Sequence, residues 1–228
     1  MRNNTENFIQ SLAGDIHPVK VLPRPWVRAT MWLAASGIYI GLVLMMMASP
    51  GVPSKWSDIR FVVEQFSALA LALGASVAAF ATVVPGYNRK LLAFLLIPLA
   101  GWLGSVGEGC IRHFARLGSE ALSLNHNLSC FPTIVLLGAF PGILMAVMLR
   151  RGAPLTPHLT TALGALAAAG LANFFLRIFH PEDVTVPLLV WHIGGVFVLS
   201  AVAAAAGRSL LNWRSIQNQP QITRITQM

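Results

Sequence analysis

The stretch Cys130–Pro154, CFPTIVLLGAFPGILMAVMLRRGAP, constrains the fold more than any other part of the chain. From Phe131 to Leu149 it carries no charge, and about 20 mostly apolar residues in a helix are long enough to cross a hydrocarbon core of ~30 Å. It reads as a membrane span. A cysteine opens it, and Arg150 with Arg151 closes it. Arg and Lys are retained preferentially on the cytoplasmic side, so the arginine pair is expected inside and Cys130 outside.

Five further apolar runs share this character: Ala29–Ala48, Phe61–Val84, Leu91–Gly109, Leu159–Phe179 and Val186–Gly207. The expected fold is therefore all-α, a polytopic membrane protein with six transmembrane helices. Composition agrees, because a chain that is 55% hydrophobic and 11% charged, against about 25% charged in soluble domains, cannot hide its apolar surface in one small core. With six spans both termini share a side. Eleven of the sixteen Lys and Arg residues fall on that side, and six of the eight acidic residues fall on the other. Both termini are accordingly expected in the cytoplasm. The organisation that follows is a cytoplasmic tail over 1–28, a six-helix transmembrane domain over 29–207, and a C-terminal cytoplasmic tail over 208–228. The net charge of +8 comes without a dense basic run or interleaved aromatic residues. It is accounted for by loop bias in a lipid bilayer, and no direct binding of nucleic acid is expected.

The N-terminal tail is polar and punctuated by Pro18, Pro23 and Pro25, unlike a signal peptide. Thr5 is suited to cap a short helix that places Phe8, Ile9 and Leu12 on one face, with Gly14 and Pro18 ending it. The following HPVKVLPRP is expected to be extended, since residues before proline avoid the helical region. Within the spans, Gly37 with Gly41 and Gly138 with Gly142 have a spacing that permits close helix approach, and Ala and Gly fill the region from Gly164 to Gly170. Pro98 and Pro141 should kink their helices.

The outer side holds the candidate chemistry. Glu108-Gly-Cys110-Ile-Arg-His113 opens the longest outer loop and His126 closes it before Cys130. Cys and His are ligands for soft and borderline metals, and Cys110 and His113 share a helix face. Three readings stay open: a small apolar Cys110 beside a solvated His113, a Cys110 to Cys130 disulfide in an oxidising compartment, and a metal site. His180 and His192 belong to the same half, His192 about two turns inside the last span. A histidine at that depth must stay neutral or find a partner. Glu64 reads as an interfacial carboxylate at a helix N-terminus, and Arg177 can pair with Glu182 or Asp183 across a short loop. There is no phosphate loop, nucleophile elbow or two-histidine zinc helix, so the chain is not expected to be an enzyme. A small metal- or proton-coupled transporter using His192 and Glu64, and a structural subunit of a membrane complex, are the alternatives in other classes.

Four segments together, SLAGDIHPVKVLPRPWVRATMW, VPGYNRKLLAFLLIPLAGW, CFPTIVLLGAFPGILMAVMLRRGAPLTP and HPEDVTVPLLVWHIGG, resemble the bacterial NrsF-type family, over about Leu12 to Trp213. These are membrane-embedded negative regulators of an extracytoplasmic-function sigma factor. The resemblance implies an anti-sigma factor of the bacterial inner membrane that sequesters the sigma factor and releases it on an envelope, metal or oxidative signal. It implies no required cofactor, although a transition or heavy-metal ion would be a suitable signal. By position, Asp15, Pro18 and Val19 match the family's tail element and, with Phe8 and Leu12, form the expected partner-binding set. Cys130 matches the first family cysteine. Where a second is expected, this chain has Phe179-His180-Pro181-Glu182, so the implied sensing cluster is Cys130 and His180, with Cys110 and His113 nearby.

Overall fold

The computed structural model describes residues 2–14, 22–47, 55–118, 130–152, 156–179 and 186–211. Among them every regular element is a helix: α1 (Arg2–Gly14), α2 (Pro25–Met47), α3 (Ile59–Ala81), α4 (Leu96–Leu117), α5 (Cys130–Arg150), α6 (Pro157–Phe179), α7 (Val186–Ala205) and the short α8 (Gly207–Leu210). Four are long and apolar enough to cross a membrane, over Pro25–Met46, Ile59–Ala81, Leu92–Arg116 and Pro157–Ile178. The other two expected runs are helices of 21 and 20 residues, α5 and α7. Their described apolar stretches are the shorter Leu136–Arg150 and Gly194–Ala205.

Local chemistry sets the ends. Pro25 opens α2 four residues before the apolar run, at a position where its missing N–H costs nothing. Asp58 caps α3, its Oδ1 accepting from the Arg60 amide at 3.0 Å. Gly86, at φ 81°, turns the chain after α3. The expected kink at Pro98 takes another form. Residues Arg89–Leu95 make a 3-10 segment, and Pro98 falls in the first turn of α4, where proline is tolerated. Pro141 does lie inside α5, and its carbonyl accepts from Trp32 Nε1 of α2 at 2.9 Å. The tail helix begins at Arg2 and ends at Gly14, so Thr5 lies within it and does not cap it.

Three neighbouring pairs, α2 with α5, α3 with α4 and α6 with α7, run antiparallel. Trp32 meets Pro141 and Tyr39 bonds to the Leu136 carbonyl between α2 and α5. Ser67 faces Gly101 between α3 and α4, and His158 bonds to the Ala204 carbonyl between α6 and α7. At the centre stands α6, in which every residue from 167 to 173 is buried. Its most extensive partner is α3. A Cβ on Gly170 would stand 3.4 Å from Ala72 Cβ, which is the close approach that small residues permit. The same is not true of Gly41, Gly138 and Gly142, which have no neighbour within 4 Å of a Cβ position. The four-residue glycine spacing therefore marks no seam there, whereas Gly164 and Gly170 of α6 do make tight contacts.

The distribution of polarity is that of a protein in lipid. Ser36, Glu64, Gln65, Ser76, Thr82, Asn173 and Arg177 are buried, while Ile38, Leu42, Phe66, Ile97, Ile143 and Val198 are exposed. In water such a surface would be a large aggregation liability.

Candidate functional site

Two ends of the bundle carry different chemistry, and the α3–α6 pair connects them. At one end Arg177 of α6 donates from Nε to Glu64 Oε1 at 2.8 Å and from Nη2 to Oε2 at 3.2 Å. Both residues are buried, at 5% and 3% exposure, and Arg177 also lies 6.0 Å from the Phe61 ring centroid. Phe61 in turn meets Trp56 edge-on at 5.4 Å. The expectation of an interfacial Glu64 is thus corrected, whereas the expected pairing of Arg177 with Glu182 or Asp183 falls on residues outside the described ones. A charge one turn inside a helix end cannot be solvated from the flank, and the bidentate partner on the facing helix satisfies both groups at once. Next to Glu64 on α3, Gln65 Nε2 donates at 3.3 Å to the carbonyl of Phe174, about one turn before Arg177 on α6. The pairing also ties down the carboxylate that the transporter reading requires.

At the opposite end of the same helix pair, Thr82 and Thr160 share a buried hydrogen bond of 2.8 Å. Interhelical bonds of this kind contribute about 0.6 kcal/mol on average. Around it the root of the tail meets the bundle. Arg28, 4% exposed, lies 4.5 Å over the Phe80 ring and donates to the Met148 carbonyl. Gly152, directly after the arginine pair, packs so closely on Val83 that any Cβ would run into it, with Leu22 beside them. Leu22 precedes α2, Val83 follows α3 and Gly152 follows α5, so three chain segments are pinned where the tail leaves.

The tail helix α1 presents Phe8 and Ile9 at 54% and 58% exposure. The side chain of Leu12, and Asp15, Pro18 and Val19, lie outside the described residues.

Of the expected sensing cluster, Cys110 is described: it is 8% exposed and belongs to a cluster with Trp102, Val106 and Val196. That burial fits a small apolar residue at a helix contact better than a solvent-facing ligand. Glu108 and Arg112, one turn apart on α4, form an exposed ion pair. The helix directions bring the C-terminal part of α4, holding Cys110 and His113, to the Glu64–Arg177 end. Because Gly164 of α6 faces Met145 and Leu149 of α5, α5 also starts, at Cys130, where α6 ends, one residue before His180. The side chains of His113, Cys130 and His192, and the whole of His180, lie outside the described residues. Among the described residues no group of three or more His, Cys, Asp or Glu is placed to hold a metal.

These features define an all-helical protein with four membrane-length helices, an apolar exterior and an exposed tail helix, which fits a membrane protein without an evident catalytic centre among the described residues. Residues 12–213 match the family model described as "NrsF: Negative regulator of sigma F". The chain belongs to the NrsF family, and membership implies negative regulation of a sigma factor, a regulatory role with a sigma factor as partner. No curated protein and no solved structure matches the chain.

Sequence reasoning missed the Glu64–Arg177 pair and the convergence at Gly152. A signal for the first was present: two opposite charges, each about one turn inside the same end of two apolar runs.

Proposed function

We propose that the chain is an anti-sigma factor that holds an extracytoplasmic-function sigma factor at the bacterial inner membrane and releases it on an envelope, metal or oxidative signal. The observation that carries this reading is the exposed apolar pair Phe8 and Ile9 on α1, in a chain whose family regulates a sigma factor. A short helix with exposed apolar side chains is suited to a partner's groove. In the sequence Leu12 follows Phe8 by four residues, and in this reading Asp15, Pro18 and Val19 set the register of the segment after it. In this reading six helices cross the membrane with both termini cytoplasmic, which the alternating helix directions and the arginine-rich end support.

The signal acts at the opposite end. Cys130, His180, Cys110 and His113 are residue types suited to a transition or heavy-metal ion. Thiolate and neutral imidazole both compete with protons, so metal binding there weakens as pH falls. Binding moves the bundle only through differential affinity for two packings. The α3–α6 pair links the two ends, from Glu64–Arg177 to Thr82–Thr160 at the root of the tail.

Co-purification from membranes, with transcription of the sigma factor's targets measured in parallel, tests the reading. Phe8→Asp and Val19→Asp should lose the sigma factor and raise transcription without a signal, at normal protein levels. Retention of the partner by both variants would remove the tail as its binding surface.

A further inference from the structure

Between α5, α6 and α7, with α8 at one end, lies an apolar groove of about 300 Å³. Gly138 and Gly142 form one wall, with open space where their side chains would be, and Ala165, Ala168 and Ala172 of α6 form the facing wall. Along α5 the groove runs from Leu149 to Gly138, roughly 16 Å at the helical rise of 1.5 Å per residue. One leaflet of a ~30 Å hydrocarbon core is about 15 Å deep, so the groove matches the length of a single acyl chain.

Its mouth is basic. Leu149 and Leu210 line that end; Arg150 and Arg151 follow Leu149 in sequence, Arg208 stands two residues before Leu210, and all three are exposed. Arg150 donates from Nε to the Leu210 carbonyl at 2.6 Å, which holds its guanidinium between α5 and α8. Among the described residues none of these three arginines is paired with a carboxylate.

We propose that this groove binds an anionic phospholipid, one acyl chain lying along Gly138, Gly142 and Ala168 and the phosphate held by Arg150, Arg151 and Arg208. Guanidinium forks match phosphate oxygens bidentately, and basic pockets between membrane helices on the cytoplasmic side are suited to anionic headgroups. A methylene chain needs no hydrogen-bond partner, and the lining offers almost none. A helix from a second copy would also fit among small residues, but it would leave three cations at the mouth without counter-charge. The lipid satisfies both halves. The site is independent of how the sigma factor is held, since it involves no residue of the tail.

Native mass spectrometry of the full chain in detergent, with equal amounts of phosphatidylglycerol and phosphatidylcholine, tests the proposal. The chain should retain one phosphatidylglycerol in preference to phosphatidylcholine by about tenfold or more. The combined Arg150→Gln, Arg151→Gln and Arg208→Gln variant, altered only at exposed positions, should lose that preference. Gly142→Phe should exclude both lipids while circular dichroism remains helical. A preference unchanged in the arginine variant would overturn the proposal. So would a Gly142→Phe chain that keeps its lipid and changes from dimer to monomer, which would assign the groove to a second copy. If Gly142→Phe does not fold, the arginine variant decides alone.

Discussion

The ion pair between Glu64 and Arg177 permits the sharpest energetic test of the bundle. Both side chains are nearly inaccessible, and two hydrogen bonds of 2.8 and 3.2 Å join them. Removing one partner breaks the buried pair, a loss of about 3–5 kcal/mol. Glu64→Leu and Arg177→Met should each lower the apparent Tm in detergent by roughly 6–20 °C, taking about 2–4 °C per kcal/mol for a chain of this size. The double change Glu64→Leu with Arg177→Met leaves no charge behind, and replacement of a buried pair by apolar groups is often close to neutral. The three variants form a double-mutant cycle whose coupling should reach about 6 kcal/mol or more, the two single losses of about 3–5 kcal/mol each set against a near-neutral double, measured by thermal unfolding monitored by tryptophan fluorescence. If the two single losses add up to the double loss within about 0.5 kcal/mol, the groups do not act as a pair and the reasoning fails.

Other outcomes follow from the same geometry. Gly152→Ala should cost about 1–3 kcal/mol by forcing Val83 aside, the ordinary penalty for overpacking, and should raise target transcription because it loosens the root of the tail; an unchanged Tm would mean the loop adjusts freely. Phe8→Ala, on an exposed face, should leave the Tm within about 0.5 kcal/mol of the parent while weakening repression, and reporter transcription with the Tm beside it separates the two effects. A reporter active only outside the cytoplasm should be silent after Met228 and active near Glu120; the reverse would take the cysteines off the outer face. Cys130→Ser should impair the response to cadmium or oxidant, with His180→Ala impairing it for a metal site and Cys110→Ser for a disulfide. A normal response in Cys130→Ser would remove both.

Much of the helical order was legible from one physical rule, that a chain in lipid must satisfy its backbone within the helix, so apolar runs of membrane length become helices. Four reached that length as described, and the other two runs are helices as well. The interior was less legible. Ala and Gly permit close approach without saying which neighbour approaches, so Gly170 met Ala72 as a tight contact whereas Gly138 and Gly142 opened onto a groove. The Glu64–Arg177 pair was not legible because nearness in sequence is what a chain displays, whereas these two residues come from different helices. Pro98 was expected to kink a helix because the apolar run begins at Leu91, whereas that run opens as a 3-10 segment and the proline falls in the first turn of α4. The family resemblance was legible in the Asp15 to Val19 element and the Cys130 to Pro154 stretch, and the family match covers both.

The central claim is that a sigma factor is held at the membrane through the tail. Its most direct test is the distribution of the cognate sigma factor between membrane and soluble fractions of cells carrying either the full chain or a chain without residues 1–21, at equal membrane levels of the two. The account predicts membrane-associated sigma factor with the full chain and soluble, active sigma factor with the shortened one. A sigma factor that remains with the membrane when the tail is gone, or that never associates with it, would contradict the account.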